Sequence, residues 1–149
     1  MVPNPYDPRT RTDLSKREQL VLDVTGGVLH GNDFHLIDEH VAVGYRQHTV
    51  GIGQGRDGFR RYVEAIASKR PGRTTWRPIH LFEAGDFVIL HKLIPAAIVA
   101  DFFRFDDEDR LIEHWDVVQR LPEPDYDPMR LSQENFSRFY ALFDMPPPS

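Results

Sequence analysis

The chain has 149 residues, 40% hydrophobic and 28% charged, with ten Phe, five Tyr and two Trp. This is the composition of an ordinary globular domain, long enough for one core that buries roughly two-thirds of the unfolded surface. A formal charge of -5 argues against nucleic acid as a partner, which would need a clustered basic face. The lack of cysteine excludes disulfides, thiolate nucleophiles and cysteine-type zinc sites and suits a cytoplasmic location.

Residues 1–13, with three prolines and many charges, read as a loose lead-in, and Met1–Asp7 lacks the apolar centre of a signal peptide. Ser15-Lys16-Arg17-Glu18 has the pattern of a capping box. It should open a helix with Leu20, Val21, Val24 and Val28 on one face, weakened at Gly26-Gly27. Gly31-Asn32-Asp33 is a turn, and Asp33 is placed to cap a short helix that buries Phe34 and Ile37. Val41 to Thr49 alternates as a strand, with Val43, Tyr45 and Gln47 on one face and Ala42, Gly44 and Arg46 on the other. After the glycine loop at 51–55, Phe59, Tyr62, Val63 and Ile66 recur at helical spacing, and that helix should end before Pro71.

The second half reads as four strands: Thr75 to Glu83, Phe87 to Ile94, Ile98 to Asp106 and Leu111 to Leu121. The turns between them are short, so neighbouring strands must run antiparallel. No apolar run is long and uninterrupted enough for a membrane span, because His91, Lys92, Pro95 and Asp101 break the greasiest stretch. The expected architecture is α+β, with about three helices against one face of an antiparallel sheet. Residues 14–121 form that domain. Residues 122–149 form an extension with a short helix around 132–143, whose Phe136, Phe139, Tyr140 and Phe143 make an apolar stripe.

Tyr45-Arg46-Gln47-His48, the Phe59 helix, Glu83-Ala84-Gly85-Asp86, Asp101-Phe102-Phe103-Arg104-Phe105 and above all Glu113-His114-Trp115-Asp116-Val117-Val118-Gln119 together resemble the SnoaL-like polyketide cyclases. These belong to the nuclear transport factor two superfamily. The resemblance covers residues 14–121 and implies a cone of helices and sheet around a hydrophobic pocket, with a homodimer as the assembly. It also implies that Asp116 matches the cyclases' general acid/base and that Asp101 faces it from the preceding strand. In the related ketosteroid isomerases, the residue matching Asp101 is a protonated aspartic acid that donates to an oxyanion. The family's Gln-His-Asn-Pro segment is here Gln47-His48-Thr49-Val50, a departure from the standard cyclase pattern.

Strand parity alone puts Asp101 with Val99, Phe103 and Phe105, and His114 with Asp116 and Val118; whether the two faces coincide depends on hairpin register. A carboxyl among Phe side chains should lose hydration and have its pKa raised. The candidate catalytic set is Asp116 as general acid/base, Asp101 as its oxyanion partner and His114 as a proton shuttle. Tyr45, Gln47, His48, Thr49, Trp76, His91, Phe103 and Val118 are the candidate substrate-binding residues. His48 has the outward parity of Arg46, and His91 that of Phe87 and Ile89. Either aspartate can equally be a buried acceptor with no chemistry.

Gly51-x-Gly53-x-Gly55 has its third glycine misplaced for a dinucleotide loop, and His35 and His40 are too far apart for a helical zinc pair. A metal set of His80, His91, Asp101 and His114 is an alternative that also depends on facing. The reading adopted needs no cofactor and no metal. It is a cyclase- or isomerase-type enzyme acting on a small hydrophobic carbonyl compound. The alternatives are a ligand-binding or assembly module, and a hydrolase or dehydratase using the same carboxylates.

Overall fold

The computed structural model describes residues 3–70, 72 and 74–121; the extension at 122–149, with the helix expected at 132–143, lies outside the described residues. Helix α1 (Lys16–Val24) starts at the expected capping box, in which Glu18 N donates to Ser15 Oγ at 3.1 Å and Ser15 N donates to Glu18 Oε2 at 2.9 Å. Leu20, Val21 and Val24 are buried beneath it. At the glycine pair the helix widens into one π-helical turn, Thr25–Leu29, which still buries Val28. The backbone at Gly31 presses on this turn: a Cβ there would meet Gly26 O at 2.7 Å. Helix α2 (His35–His40) buries Ile37, but Asp33 turns to the His35 ring instead of capping the helix.

Strand β1 (Val41–Gln47) is followed by α3 (Gly55–Lys69), with Phe59 and Val63 facing the core. The next four strands are β2 (Arg77–Ala84), β3 (Phe87–Ile94), β4 (Ala97–Phe105) and β5 (Leu111–Arg120). The first two hairpins close through two residues each, with Gly85 at φ 63° and Ala96 at φ 64°. The sheet order is β1-β5-β4-β3-β2, and β1 pairs with β5 in parallel. The sheet is therefore mixed, not wholly antiparallel as expected. The short-turn argument governs β2 to β5; β1 reaches β5 only after a long excursion through α3, which permits either direction. Register shifts in β1, β2 and β5, where Ile112 is the extra residue opposite Arg104 and Phe105, mark bulges that bend the strands around the helices.

The lead-in is not loose. Leu81 N donates to Tyr6 O at 2.8 Å, Asn4 Nδ2 to Ile79 O at 3.0 Å, and Arg11 bridges Glu18 and Leu81 O. Residues 3–13 thus cover the free edge of β2, where unpaired backbone would otherwise be exposed. The core is α1, α2 and α3 packed on one sheet face through Val21, Val28, Ile37, Leu81, Leu90, Phe105 and Leu111. Among the described residues no helix is long and apolar enough to cross a membrane.

Candidate active site

Cross-strand register places Asp101 directly opposite Asp116, and Phe103 opposite His114. Gln47 stands beside His114 on the other flank. The two faces that parity left open therefore coincide on the helix-covered side of the sheet. Leu90 pairs with Asp101 and Lys92 with Val99, so alternation puts Lys92 on the same inner face.

These groups form one network. Asp101 Oδ1 lies 2.9 Å from His114 Nε2, and His114 Nδ1 lies 2.9 Å from Gln47 Oε1. Thr49 N donates to that same Gln47 oxygen at 3.0 Å, and Gln47 Nε2 donates to Tyr45 Oη at 3.3 Å. The Thr49 amide identifies the Gln47 atom as oxygen, so both ring nitrogens of His114 face acceptors. Lys92 Nζ lies 2.8 Å from Asp101 Oδ2. It approaches as an ion pair not aligned for a hydrogen bond, leaving that oxygen without a directed donor. Asp101, Lys92, His114, Gln47 and Tyr45 are all buried. Asp116 is only half-buried, and its Oδ2 accepts from Thr49 Oγ1 at 2.9 Å. The tip of the network that meets solvent is Asp116.

Charge in this network departs from expectation. Burial alone would push the Asp101 carboxyl up, but the Lys92 ammonium and the His114 hydrogen bond outweigh it and hold the group below the ordinary carboxylate range. Asp101 is therefore ionised at neutral pH and is not the neutral acid that its Phe neighbours suggested. Burial, with the nearby Asp101 charge, raises the Tyr45 phenol. His30 is a further neighbour: burial first, then the Lys92 charge, depresses its pKa to about 4. Its ring stacks on Trp76 with centroids 5.4 Å apart, and its Nδ1 lies 2.6 Å from Thr74 Oγ1.

Of the sequence candidates, Asp116, Asp101, His114, Tyr45, Gln47, Thr49, Phe103 and Val118 gather on the inner face. Phe103 packs on the His114 ring at 4.9 Å, and Val118, two residues beyond Asp116, is half-exposed. His48 and His91 do not join them. His48 turns outward, 2.8 Å from Glu113 and stacked on Trp115 at 4.5 Å. His91 pairs with His80 on the outer face. The sheet therefore divides the four-residue metal set, with His80 and His91 on its outer face and Asp101 and His114 on its inner face. Trp76 stands apart, between an open recess of about 350 Å³ lined by Thr75, Arg77, Leu93, Ile94 and Pro95 and another of about 520 Å³ against Gly26, Gly27 and Leu36. Neither recess is lined by Asp101, His114 or Asp116.

Sequence reasoning missed Lys92 and His30. Lys92 has the parity of Val88 and Leu90, a signal masked because β3 is apolar on both faces. One inner-face cluster, Asp101, His114 and Asp116, has ligand atoms within 4.8 Å of one another, as a metal site would require. Lys92 already neutralises Asp101, however, and both His114 nitrogens already face acceptors, so these residues fit an ion poorly.

No protein-family model matches the sequence, and no curated protein matches it. Solved structures do. A candidate polyketide cyclase from Acidithiobacillus ferrooxidans superposes with a TM-score of 0.62 at 17% identity, over 74% of this chain and 92% of its own. A SnoaL-like protein of unknown function from Burkholderia thailandensis gives 0.61 at 14% identity, over 71% and 98%. A candidate isomerase of the SnoaL-like family from Agrobacterium tumefaciens gives 0.58 at 16%, over 70% and 99%. The chain has the SnoaL-like fold.

Proposed function

We propose that this chain is an enolising enzyme of the cyclase or isomerase type, acting on a small hydrophobic carbonyl compound, with Asp116 as general acid/base. The observation that supports this reading is the unequal exposure of two facing carboxylates: Asp101 is sealed and ion-paired, while Asp116 is half-open and hydrogen-bonded by Thr49. A carboxylate base must reach substrate, and only Asp116 can.

In this scheme Asp116 takes a proton from the carbon next to the substrate carbonyl, and the electron pair moves to oxygen as an enolate. The proton then returns from Asp116 to another carbon, giving isomerisation, or the enolate carbon attacks a second carbonyl of the same molecule, whose π electrons move to its oxygen, and that alkoxide takes the proton from Asp116, giving the closed ring and the free carboxylate. Behind the reacting edge, Lys92, Asp101 and His114 are engaged with one another, and the network continues through Gln47 to Thr49, which holds the Asp116 carboxylate in place. Asp101 is a positioning residue that orients His114, replacing the oxyanion-donor role its sequence context suggested. A homodimer is the proposed assembly, on the resemblance alone, and light scattering tests it.

Solvent-deuterium exchange into a panel of small ketones and diketones tests the function. Wild type should catalyse exchange, and Asp116→Asn should lose at least about a hundredfold, as expected for a removed general base. Equal exchange by both proteins would end the assignment. A second reading is favoured by the sealing of Asp101, Lys92 and His114: a ligand-binding module in which the network is structural. Tight ketone binding without exchange in wild type would select it.

A further inference from the structure

The outer sheet face carries a cluster that the proposed chemistry does not use. His80 and His91 are cross-strand partners at the β2 bulge, with Nδ1 of one ring 2.9 Å from Nδ1 of the other and the ring planes within 4°. Parallel rings in face contact would keep their atoms about 3.5 Å or more apart. These two therefore meet edge to edge and share one proton in an N–H···N hydrogen bond.

We propose that the His80–His91 pair is a chelating site for a divalent transition-metal ion of the nickel or copper type, with water completing the coordination. The metal ion would take the shared proton's place, the donor ring carrying its own proton on Nε2 instead. Two imidazole nitrogens at about 2.0–2.1 Å from such an ion, in adjacent positions at right angles, stand about 2.9 Å apart, whereas tetrahedral zinc spreads them to about 3.4 Å. The observed separation matches the right-angled bite. Each ring needs to swing by about 45° to point its lone pair at a shared ion, a torsion that is soft for histidine.

The surroundings leave room for that movement. Across the sheet the same row continues through Ala100 to Val117, which is 66% exposed. Among the described residues, that row therefore carries only a methyl group and an exposed valine beyond the pair. Both histidines are themselves only half-buried. Burial, and then the neighbouring His80, lower the pKa of His91, which favours the neutral imidazole a metal requires. The ion would tie edge strand β2 to β3 where the bulge weakens their ladder.

Nickel titration into the full-length protein at neutral pH, followed by calorimetry, tests the site. Wild type should bind one equivalent. His80→Asn and His91→Asn should each weaken binding at least tenfold, while His35→Asn, within the His35–Glu39–His40 group on α2, should leave it unchanged. Because an altered heat could reflect a disturbed sheet, paramagnetic broadening in wild type supplies a second readout: the amide of Ala100 should broaden before that of Leu36. No nickel binding by wild type, undiminished binding by both pair variants, or broadening centred on α2 would each overturn the proposal.

Discussion

Lys92 and Asp101 form an ion pair inside the fold, with 2.8 Å between Nζ and Oδ2 and about a twentieth of each side chain exposed. Two buried charges survive there because each is the other's counterion and Asp101 is further tied to His114. Breaking such a pair from one side leaves an uncompensated charge, so Lys92→Met should cost about 3 kcal/mol in urea unfolding at neutral pH. Asp101→Asn should cost a similar amount, and the double variant less than the sum. Strictly additive losses would show that the two groups are not coupled in the folded state.

The same pair sets an acid limit. The folded-state pKa of Asp101 lies below its unfolded value, through the Lys92 charge and the His114 bond acting against burial. Its contribution to stability is then complete above the unfolded carboxylate value of about 4 and disappears as pH falls through the lower folded value. Wild type should therefore lose more stability than Asp101→Asn on acidification below pH 4, measured by urea midpoints. Parallel profiles would contradict the assigned ionisation.

Much of this arrangement was legible in the residues. The capping box, the helical face of α3, the limits of β3 and the outward parity of His48 follow from local pattern alone. The meeting of Asp101 with Asp116 does not, because parity names two faces and only the register of the β4–β5 pair brings them together. That register includes a bulge at Arg104/Phe105, which no residue type announces. Lys92 was hidden for a different reason. On β3 both alternating sets are apolar, Val88 and Leu90 inside, Phe87 and Ile89 outside, so a lysine among them reads as a solvent-facing residue. With Lys92 read as solvent-facing, burial alone acts on Asp101 and gives its shift the opposite sign.

Two glycines should respond oppositely to substitution. Gly58 sits inside α3, where alanine is intrinsically preferred by about 1 kcal/mol. Yet an added Cβ would lie under 3.0 Å from three backbone atoms of Gly53, and backbone cannot step aside as a side chain can. Gly58→Ala should therefore destabilise by about 2 kcal/mol or more. Gly44 lies in β1 with nothing within 4 Å of the same added atom. Gly44→Thr should be neutral or stabilising by up to about 1 kcal/mol, through strand preference and a less flexible unfolded chain. Thermal midpoints of the two variants, moving in opposite directions, are the expected result.

His30 sets a second pH window, opposite in origin to that of Asp101. Burial and the Lys92 charge hold its folded pKa at about 4, whereas the unfolded ring titrates near 6.5. Between these values the unfolded chain binds a proton that the folded one refuses, so stability rises with pH across the window and is flat, for this group, on either side. His30→Asn removes the titration while keeping an amide near the Thr74 hydroxyl, which Nδ1 approaches at 2.6 Å. The difference in urea midpoint between wild type and variant should shift steadily in favour of wild type from pH 4.5 to pH 6.5, then level off. Since the ring is only partly shielded, solvent screening will keep the slope shallow. A difference that stays constant over that range would mean that the His30 ring takes up its proton as readily in the folded chain as in the unfolded one, and that its place against Trp76 and near Lys92 costs its charged form nothing.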